Sequence, residues 1–360
     1  MLKFSNMTPE KKLELIGMEP SRLEDLFEAS GLERYRARQV FHNLYGRRIG
    51  DFDAMTDLKK DLRHALANRF SISLPPVARR TESVDATVKY LFELDGDETV
   101  EAVFIPDAHR TTLCLSTQAG CSFRCKFCLT ATLGFKRNLS SGEIVGQVMG
   151  ILKDAPRSLD ASSRLNLVFM GMGEPLLNYD NVMTAIRILA DPNGLSISPR
   201  RMTLSTAGMV RRIYDLGGES IRPHLAVSLS ATTEEQRTAL MPHNKKYSLA
   251  SLMQACRDYP LRPRERLTFE YVLLDGINDS PEDARRLVKL LSGIRAKVNL
   301  LALNEAAELP FHSSPEKRII AFQEYLASKH LSVFVRKPRG LDILAACGQL
   351  KREVEPAAKE

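Results

Sequence analysis

Residues 111–128 read TTLCLSTQAGCSFRCKFC, a short apolar run and a glycine followed by three cysteines, Cys121, Cys125 and Cys128, with three residues and then two between them. The apolar run is of strand length and ends in turn-forming residues, so it reads as a β-strand emptying into a loop. The same texture recurs at RLNLVFMG (164–171), RMTLST (201–206), PHLAVSLSA (223–231), LTFEYVLL (267–274) and VNLLAL (298–303), with amphipathic stretches of helical length between most runs. Six such strand–helix units predict an α/β fold with a parallel sheet and helices outside it. That number fits a partial (β/α)6 barrel better than a closed eight-unit one. A seventh run, LSVFVR (331–336), leads into the glycine-bearing KPRGLDILAACGQL (337–350). In a barrel or an open sheet, chemistry collects at the carboxyl ends of parallel strands. The three cysteines follow the first of them.

Upstream the pattern changes. SRLEDLFEAS (21–30), RYRARQVFHNLYGRR (34–48) and DLKKDLRHALANRF (57–70) carry apolar residues at three-to-four spacing, which predicts a small helical domain over 1–75. Pro75 and Pro76 end it, and TVKYLFELDGDETVEAVFIP (87–106) alternates around an Asp-Gly turn as a hairpin does. The division expected is therefore a helical domain at 1–75, a β-hairpin linker at 76–110, the barrel at 111–350 and a mobile tail, KREVEPAAKE, at 351–360.

The chain has 360 residues, 44% hydrophobic and 26% charged, which excludes a disordered or membrane-spanning class. The opening MLKFSNMTPEKKLELIG lacks an apolar signal core, so the expected location is the cytoplasm. There, six cysteines are expected to be thiols, metal ligands or catalytic groups. A net charge of +7 suits a polyanionic partner.

Structural zinc sites close with four ligands, usually as two spaced pairs. Here a fourth ligand would have to be a distant histidine such as His109, or the strand residue Cys114. Iron–sulfur clusters also take thiolates at close spacing, and three cysteines on a [4Fe-4S] cube leave one iron free for a small molecule. Cys256, in the helical SLMQACRDYP, reads as a small buried hydrophobe.

The three-then-two spacing resembles the radical S-adenosylmethionine (SAM) superfamily. The resemblance implies that the amino and carboxylate groups of SAM chelate the free iron, and that an electron from the cluster splits the sulfonium to give a 5′-deoxyadenosyl radical. In MGMGEP (170–175), Gly173 and Glu174 match the segment that contacts the methionine amino group, and Ser205, Ser228, Leu229, Ser230 and Asn304 match further SAM contacts. Taken singly, each is an ordinary strand-end residue.

CLSTQAGCSFRCKFC, LGFKRNLS, VFMGMGEPL, INDSPEDA and RKPRGLDILAACGQL, with YRARQVFHNLY in the front segment, together resemble the radical SAM methyltransferases of RNA adenine C2, the dual-specificity 23S rRNA and tRNA enzymes. Ser230 stands where that family often has histidine, and LALNEAAELPF replaces a more proline-rich loop around Asn304. C2 of adenine lies between two ring nitrogens and is electrophilic, so direct transfer of a methyl cation should fail. By the route the resemblance implies, Cys347 takes a methyl group from one SAM as its thiolate. A second SAM generates the radical that opens that methyl group, and the resulting methylene adds to C2. Cys114 then attacks the Cys347 sulfur to release the product as a disulfide forms. Glu101 matches the family's proton acceptor, its alternative being an exposed strand carboxylate.

The partners implied are 23S rRNA, tRNAs methylated at the adenine 3′ of the anticodon, and a flavodoxin-type or similar electron donor. The enzyme is expected to be a monomer. Arg34, Arg36, Arg38, Arg47 and Arg48 in front, with Lys136, Arg137, Lys245, Lys246, Arg336, Lys337 and Arg339 near the barrel loops, are candidate phosphate contacts around a flipped adenine. The competing readings are a radical SAM methyltransferase of adenine C8 and a zinc-stabilised RNA-binding protein without catalysis.

Overall fold

The computed structural model describes residues 12–108, 110–154 and 164–351. His109 and the tail beyond Lys351 lie outside the described residues. At the front, β1 (Leu13–Glu14) precedes helices α1 (Pro20–Ala29), α2 (Arg34–Phe41) and α3 (Lys60–Arg69), after which β2 (Phe70–Ser71) pairs with β1 in parallel. Pro20 suits the first turn of α1, where its missing N–H costs nothing. Leu23, Phe27, Ala37, Val40 and Phe41 supply the buried stripes of α1 and α2. α2 widens at its end into a π-helical turn at His42–Gly46, which buries Leu44 and Tyr45.

The front helices are tied to the larger part by specific contacts. Ser141 Oγ donates to the Gly17 carbonyl at 2.7 Å, and Arg187 Nε pairs with Glu19 at 2.7 Å.

A ten-stranded sheet follows, containing β3 (Val77–Glu82), β4 (Val88–Leu94), β5 (Glu98–Asp107) and β6 (Arg110–Cys114). β7 (Gln118–Gly120) and β8 (Phe135–Asn138) form a separate two-stranded ribbon. The sheet continues through β9 (Arg164–Phe169), β10 (Met202–Thr206), β11 (His224–Ser228), β12 (Leu267–Leu273), β13 (Ala296–Ala302) and β14 (Ser332–Arg336). Every apolar run identified in the sequence is one of its parallel strands, in the order β6, β9, β10, β11, β12, β13, β14. The run at 331–336 is the parallel edge strand.

Helices α4 (Ser141–Asp154), α5 (Tyr179–Ala190), α6 (Val210–Gly218), α7 (Glu234–Leu240), α8 (Leu249–Asp258), α9 (Pro281–Leu291) and α10 (Glu316–Ser328) make the crossovers. α9 shows why the chain obeys this plan. Ser280 accepts from the Asp283 N–H, the Asp283 carboxylate accepts from the Ser280 N–H, and Pro281 occupies the first turn.

The hairpin turns at Asp95–Gly96 as expected, but β5 pairs antiparallel with β6, and β3, which the sequence did not signal, adds a further strand. The hairpin is thus part of the same sheet as the barrel strands. Residues at or just beyond the carboxyl ends of β9 to β13 line one cavity, so this part of the sheet curves around it. It is a partial barrel.

The β7–β8 ribbon holds the start of the cysteine loop. Gly120 has φ +75°, and a Cβ there would sit 1.8 Å from the Gly134 carbonyl oxygen. Gly31 has the same left-handed backbone (φ +73°) in open space. Gly120→Ala is therefore expected to cost more than about 2 kcal/mol in urea unfolding, combining strain with a backbone clash. Gly31→Ala should cost about 1 kcal/mol. Equal losses would show that the Gly120–Gly134 approach does not constrain the ribbon.

Candidate active site

Cys121, Cys125 and Cys128 occupy the loop between β7 and a 3-10 turn at Leu129–Leu133. Three main-chain hydrogen bonds fix this loop: Cys121 N–H to Gly134 O at 3.0 Å, Lys126 N–H to Leu240 O at 2.9 Å, and Leu129 N–H to Gly348 O at 2.8 Å. Their partners come from the ribbon, the end of α7 and the Cys347 segment. Phe123, inside the loop, stacks on His243 with ring centroids 4.1 Å apart.

All three cysteines line a cavity that encloses, with the solvent at its mouth, about 1090 Å³ of free space. Gly173, Glu174, Ser205, Ser228, Ser230, Asn304 and Cys347 line it too. The strand ends thus bring together residues separated by more than two hundred positions. Leu229 is adjacent but turns inward, fully buried, its N–H donating to Glu270 O at 2.9 Å.

Gly173 has φ +101°, and a Cβ there would meet the Gln118 side chain at 2.5 Å, so only glycine lets this turn close over β7. Glu174 is buried, with one carboxylate oxygen accepting from Ala207 N–H at 2.8 Å and the other from Leu176 N–H at 3.2 Å. Burial pushes its pKa up to about 7, against the pull of these N–H groups. Ser205 and Ser228 hydroxyls lie 3.3 Å apart. Ser230 is held in the left-handed region (φ +47°) with its hydroxyl accepting from Val272 N–H at 3.3 Å.

Asn304 donates its side-chain amide to the Cys347 carbonyl at 3.0 Å, so it also positions the cysteine segment.

The loop thiols are all pushed above the ordinary thiol range, chiefly by burial, Cys121 to about 12. For Cys125 the neighbouring cysteines add to the effect. Metal binding here must displace protons. Among the described residues no three His, Cys, Asp or Glu side chains converge as ligands of a single ion. A [4Fe-4S] cube takes each thiolate at a different iron. With a soft three-thiolate donor set beside a cavity of this size, the residues fit a cluster with one iron facing the free space.

Cys114 ends β6, buried, its thiol pushed well up by burial and then by the nearby Cys347. Cys347 is solvent-accessible within the cavity mouth, where surrounding protein raises its pKa and the Arg336 charge pulls it back. All six cysteines are free, so the expected Cys114–Cys347 disulfide is not present in this state. Cys256 is buried, as expected.

Glu101 is not an exposed strand carboxylate. It is fully buried on β5 behind the cavity wall, with Oε1 3.1 Å from Lys89 Nζ and Oε2 accepting from the Lys351 N–H at 2.8 Å. It therefore ties the segment following Cys347 to the hairpin. Lys89 was not legible in advance, because β4 is buried on both faces and its one lysine looked like the solvent side of an alternating strand.

A second unanticipated residue is Glu270, which lines the cavity and accepts from Asn299 Nδ2 at 2.8 Å, with its pKa raised by burial. A lone carboxylate inside LTFEYVL was the available signal.

The candidate phosphate contacts are changed by the structure. Arg34 is paired with Glu24, Asp25 and Glu28, Arg38 with Glu24, Arg36 with Glu33, Arg47 with Asp57, Arg137 with Glu143 and Arg339 with Asp85. Arg48 donates to the Leu152 carbonyl, and Lys246 sits over the Tyr247 ring. Among the described residues, Lys136, Lys245 and Lys337 have no carboxylate within ion-pair distance. No described helix is long and apolar enough to cross a membrane.

The fold and cavity define a radical SAM enzyme, and residues 115–288 match the radical SAM superfamily. Residues 13–72 match the ribosomal RNA large subunit methyltransferase N-terminal domain. The chain is 50% identical over 332 residues to the dual-specificity RNA methyltransferase RlmN of Syntrophobacter fumaroxidans, covering 92% of this chain and 96% of the relative. It is 48% identical over 358 residues to that of Syntrophotalea carbinolica, covering 99% and 94%. A crystal structure of a radical SAM methyltransferase from Sphaerobacter thermophilus superposes with a TM-score of 0.89 at 41% identity, covering 94% of this chain and 99% of that one. The chain belongs to the family of dual-specificity RNA methyltransferases.

The Lys89–Glu101 pair generates a test. Removing one partner strands a buried charge, so Lys89→Met should destabilise by about 3–5 kcal/mol. The Lys89→Met, Glu101→Gln double variant should recover most of that loss, measured by urea unfolding. A double variant as unstable as the single one would show that the two charges are not coupled.

Proposed function

We propose that this chain methylates C2 of adenine in 23S rRNA and, 3′ of the anticodon, in tRNA, with Cys347 carrying the methyl group. The observation that supports it best is one cavity lined by Cys121, Cys125, Cys128, the Glu174 segment and Cys347, with Cys114 close behind. When bound, a [4Fe-4S] cluster and SAM supply the methyl group and the one-electron chemistry that activates it, the electron coming from a flavodoxin-type or similar donor.

Cys121, Cys125 and Cys128 hold the cluster. Gly173 and Glu174 receive the amino acid end of SAM, and Ser205, Ser228, the Leu229 backbone, Ser230 and Asn304 border the rest.

Cys347 loses its proton, takes the methyl group on sulfur, and delivers its carbon to C2. Glu101 accepts the C2 proton. In this state its carboxylate is held by Lys89 Nζ and by the Lys351 N–H. Cys114, as its thiolate, then attacks the Cys347 sulfur; the bond from that sulfur to the product carbon breaks, the carbon keeps the electron pair and takes up a proton to complete the methyl group, and a disulfide remains for an external reductant to reopen. The front helices and the unpaired Lys136, Lys245 and Lys337 contact RNA phosphates.

Anaerobic incubation of the reconstituted protein with unmodified 23S rRNA fragments and tRNA, followed by nucleoside mass analysis, tests this. 2-Methyladenosine in both is expected, and 8-methyladenosine, or no product from a cluster-loaded chain, would overturn the reading. Cys121→Ala, Cys125→Ala and Cys128→Ala should each lose visible absorption and most bound iron. Full, stable iron loading in all three would remove the cluster assignment.

The distant cysteines should separate by stage. Cys347→Ala keeps the cluster but carries no methyl group, whereas Cys114→Ala reacts once and stalls as a covalent RNA adduct on denaturing gels. Normal turnover by Cys114→Ala would end its resolving role.

A further inference from the structure

α7 carries an arginine that the chemistry above does not use. Arg237 is fully buried and is the largest side chain so enclosed. Its guanidinium donates to three main-chain carbonyls at the ends of two barrel strands: Ser228 O at 3.1 Å, Leu229 O at 2.5 Å and Ala207 O at 2.5 Å. Its Nε has no partner.

Among the described residues no carboxylate lies within ion-pair distance of it. The other deeply buried arginine, Arg222, has Glu265 at 3.7 Å. Glu234, one turn before Arg237, is committed to Asn244 and to the N–H groups of Leu249 and Ala250. Burial lowers the Arg237 pKa only to about 10, so it stays charged at neutral pH.

A buried cation without a counter-ion costs several kcal/mol, and neutral carbonyls offset only part of that. The cysteine loop, whose thiols become thiolates on binding metal, lies against the end of the same helix. Cys125 is the strongest favourable electrostatic partner of Arg237. Leu240, which closes the helix bearing Arg237, accepts the Lys126 N–H from inside the cysteine loop. His243, three residues further on, shares the Ala207 carbonyl at 2.7 Å and stacks on Phe123 of the same loop. One rigid segment therefore holds both the loop and the charge.

We propose that Arg237 is the built-in counter-ion of the cluster and a positioning residue that raises its reduction potential. The inference rests on reading Cys121, Cys125 and Cys128 as cluster ligands. A three-thiolate [4Fe-4S] cluster is anionic and gains one further negative charge when an electron enters. A fixed cation in this low-dielectric wall stabilises the reduced form more than the oxidised one. The same side chain satisfies three strand-end carbonyls and so keeps the cavity floor in shape.

The two roles separate by substitution. Arg237→Gln removes the charge and retains a donor, while Arg237→Lys keeps the charge but loses the planar fork that reaches three carbonyls. Potentiometric titration of reconstituted protein with a chemical reductant, followed by the electron paramagnetic resonance signal of the reduced cluster, reads the effect. Arg237→Gln should lower the reduced-to-oxidised ratio at fixed poise about tenfold, equivalent to about 59 mV for one electron. Arg237→Lys should stay within about twofold of the parent.

An unshifted potential in iron-replete Arg237→Gln, or equal shifts in both variants, would overturn the proposal. If Arg237→Gln fails to load iron while Arg237→Lys loads, the charge requirement is met at assembly and the proposal stands. Loading failure in both assigns Arg237 to carbonyl tethering alone and rejects it. A parent chain that takes up no iron would instead overturn the cluster reading itself, so the two failures are distinguishable.

Discussion

Three main-chain hydrogen bonds to the loop at 121–129 carry the organisation of this protein. Gly134, Leu240 and Gly348 offer carbonyls to Cys121, Lys126 and Leu129, and these acceptors come from the ribbon, from α7 and from the C-terminal segment. A loop of nine residues with three thiols cannot bury a core of its own. Its geometry is imposed by elements that are packed for other reasons. Because the Gly348 contact is one residue from Cys347, the bond that closes the loop also sets where the Cys347 sulfur stands relative to the three loop thiols.

Charge is the second organising element. The cavity wall contains three raised thiols, Glu174 and Glu270, and the guanidinium of Arg237 is fully buried outside its lining, where burying charge is expensive. Glu174 is anchored by Ala207 N–H, and Ala207 O accepts from both Arg237 and His243. Glu174, Arg237 and His243 therefore meet at one residue just beyond β10.

On the opposite side, the Lys89–Glu101 pair binds the hairpin to Lys351, four residues beyond Cys347. The segment carrying Cys347 is held at Asn304, at Leu129 and at Glu101. Ala345 and Leu350, on either side of Cys347, are buried in the hydrophobic core, and Thr130 Oγ1 donates to the Leu350 carbonyl at 2.8 Å.

The sequence by itself determined the alternation of strands and helices, the hairpin turn at Asp95–Gly96, the front helices and the cysteine set, because each is written in local periodicity, turn residues or spacing. It did not show that β5 joins β6 and makes the hairpin part of the barrel sheet, since strand pairing depends on residues far apart in the chain. Nor did it show that Glu101 is buried, that Arg34, Arg38 and Arg137 have acidic partners, that Glu270 lines the cavity, or that Lys89 and Arg237 are buried. A charged residue on a strand or short helix looks alike whether it faces water or a counter-ion. Only the tertiary structure decided which charges were taken out of water, because desolvation belongs to the surroundings that packing creates and not to the residue.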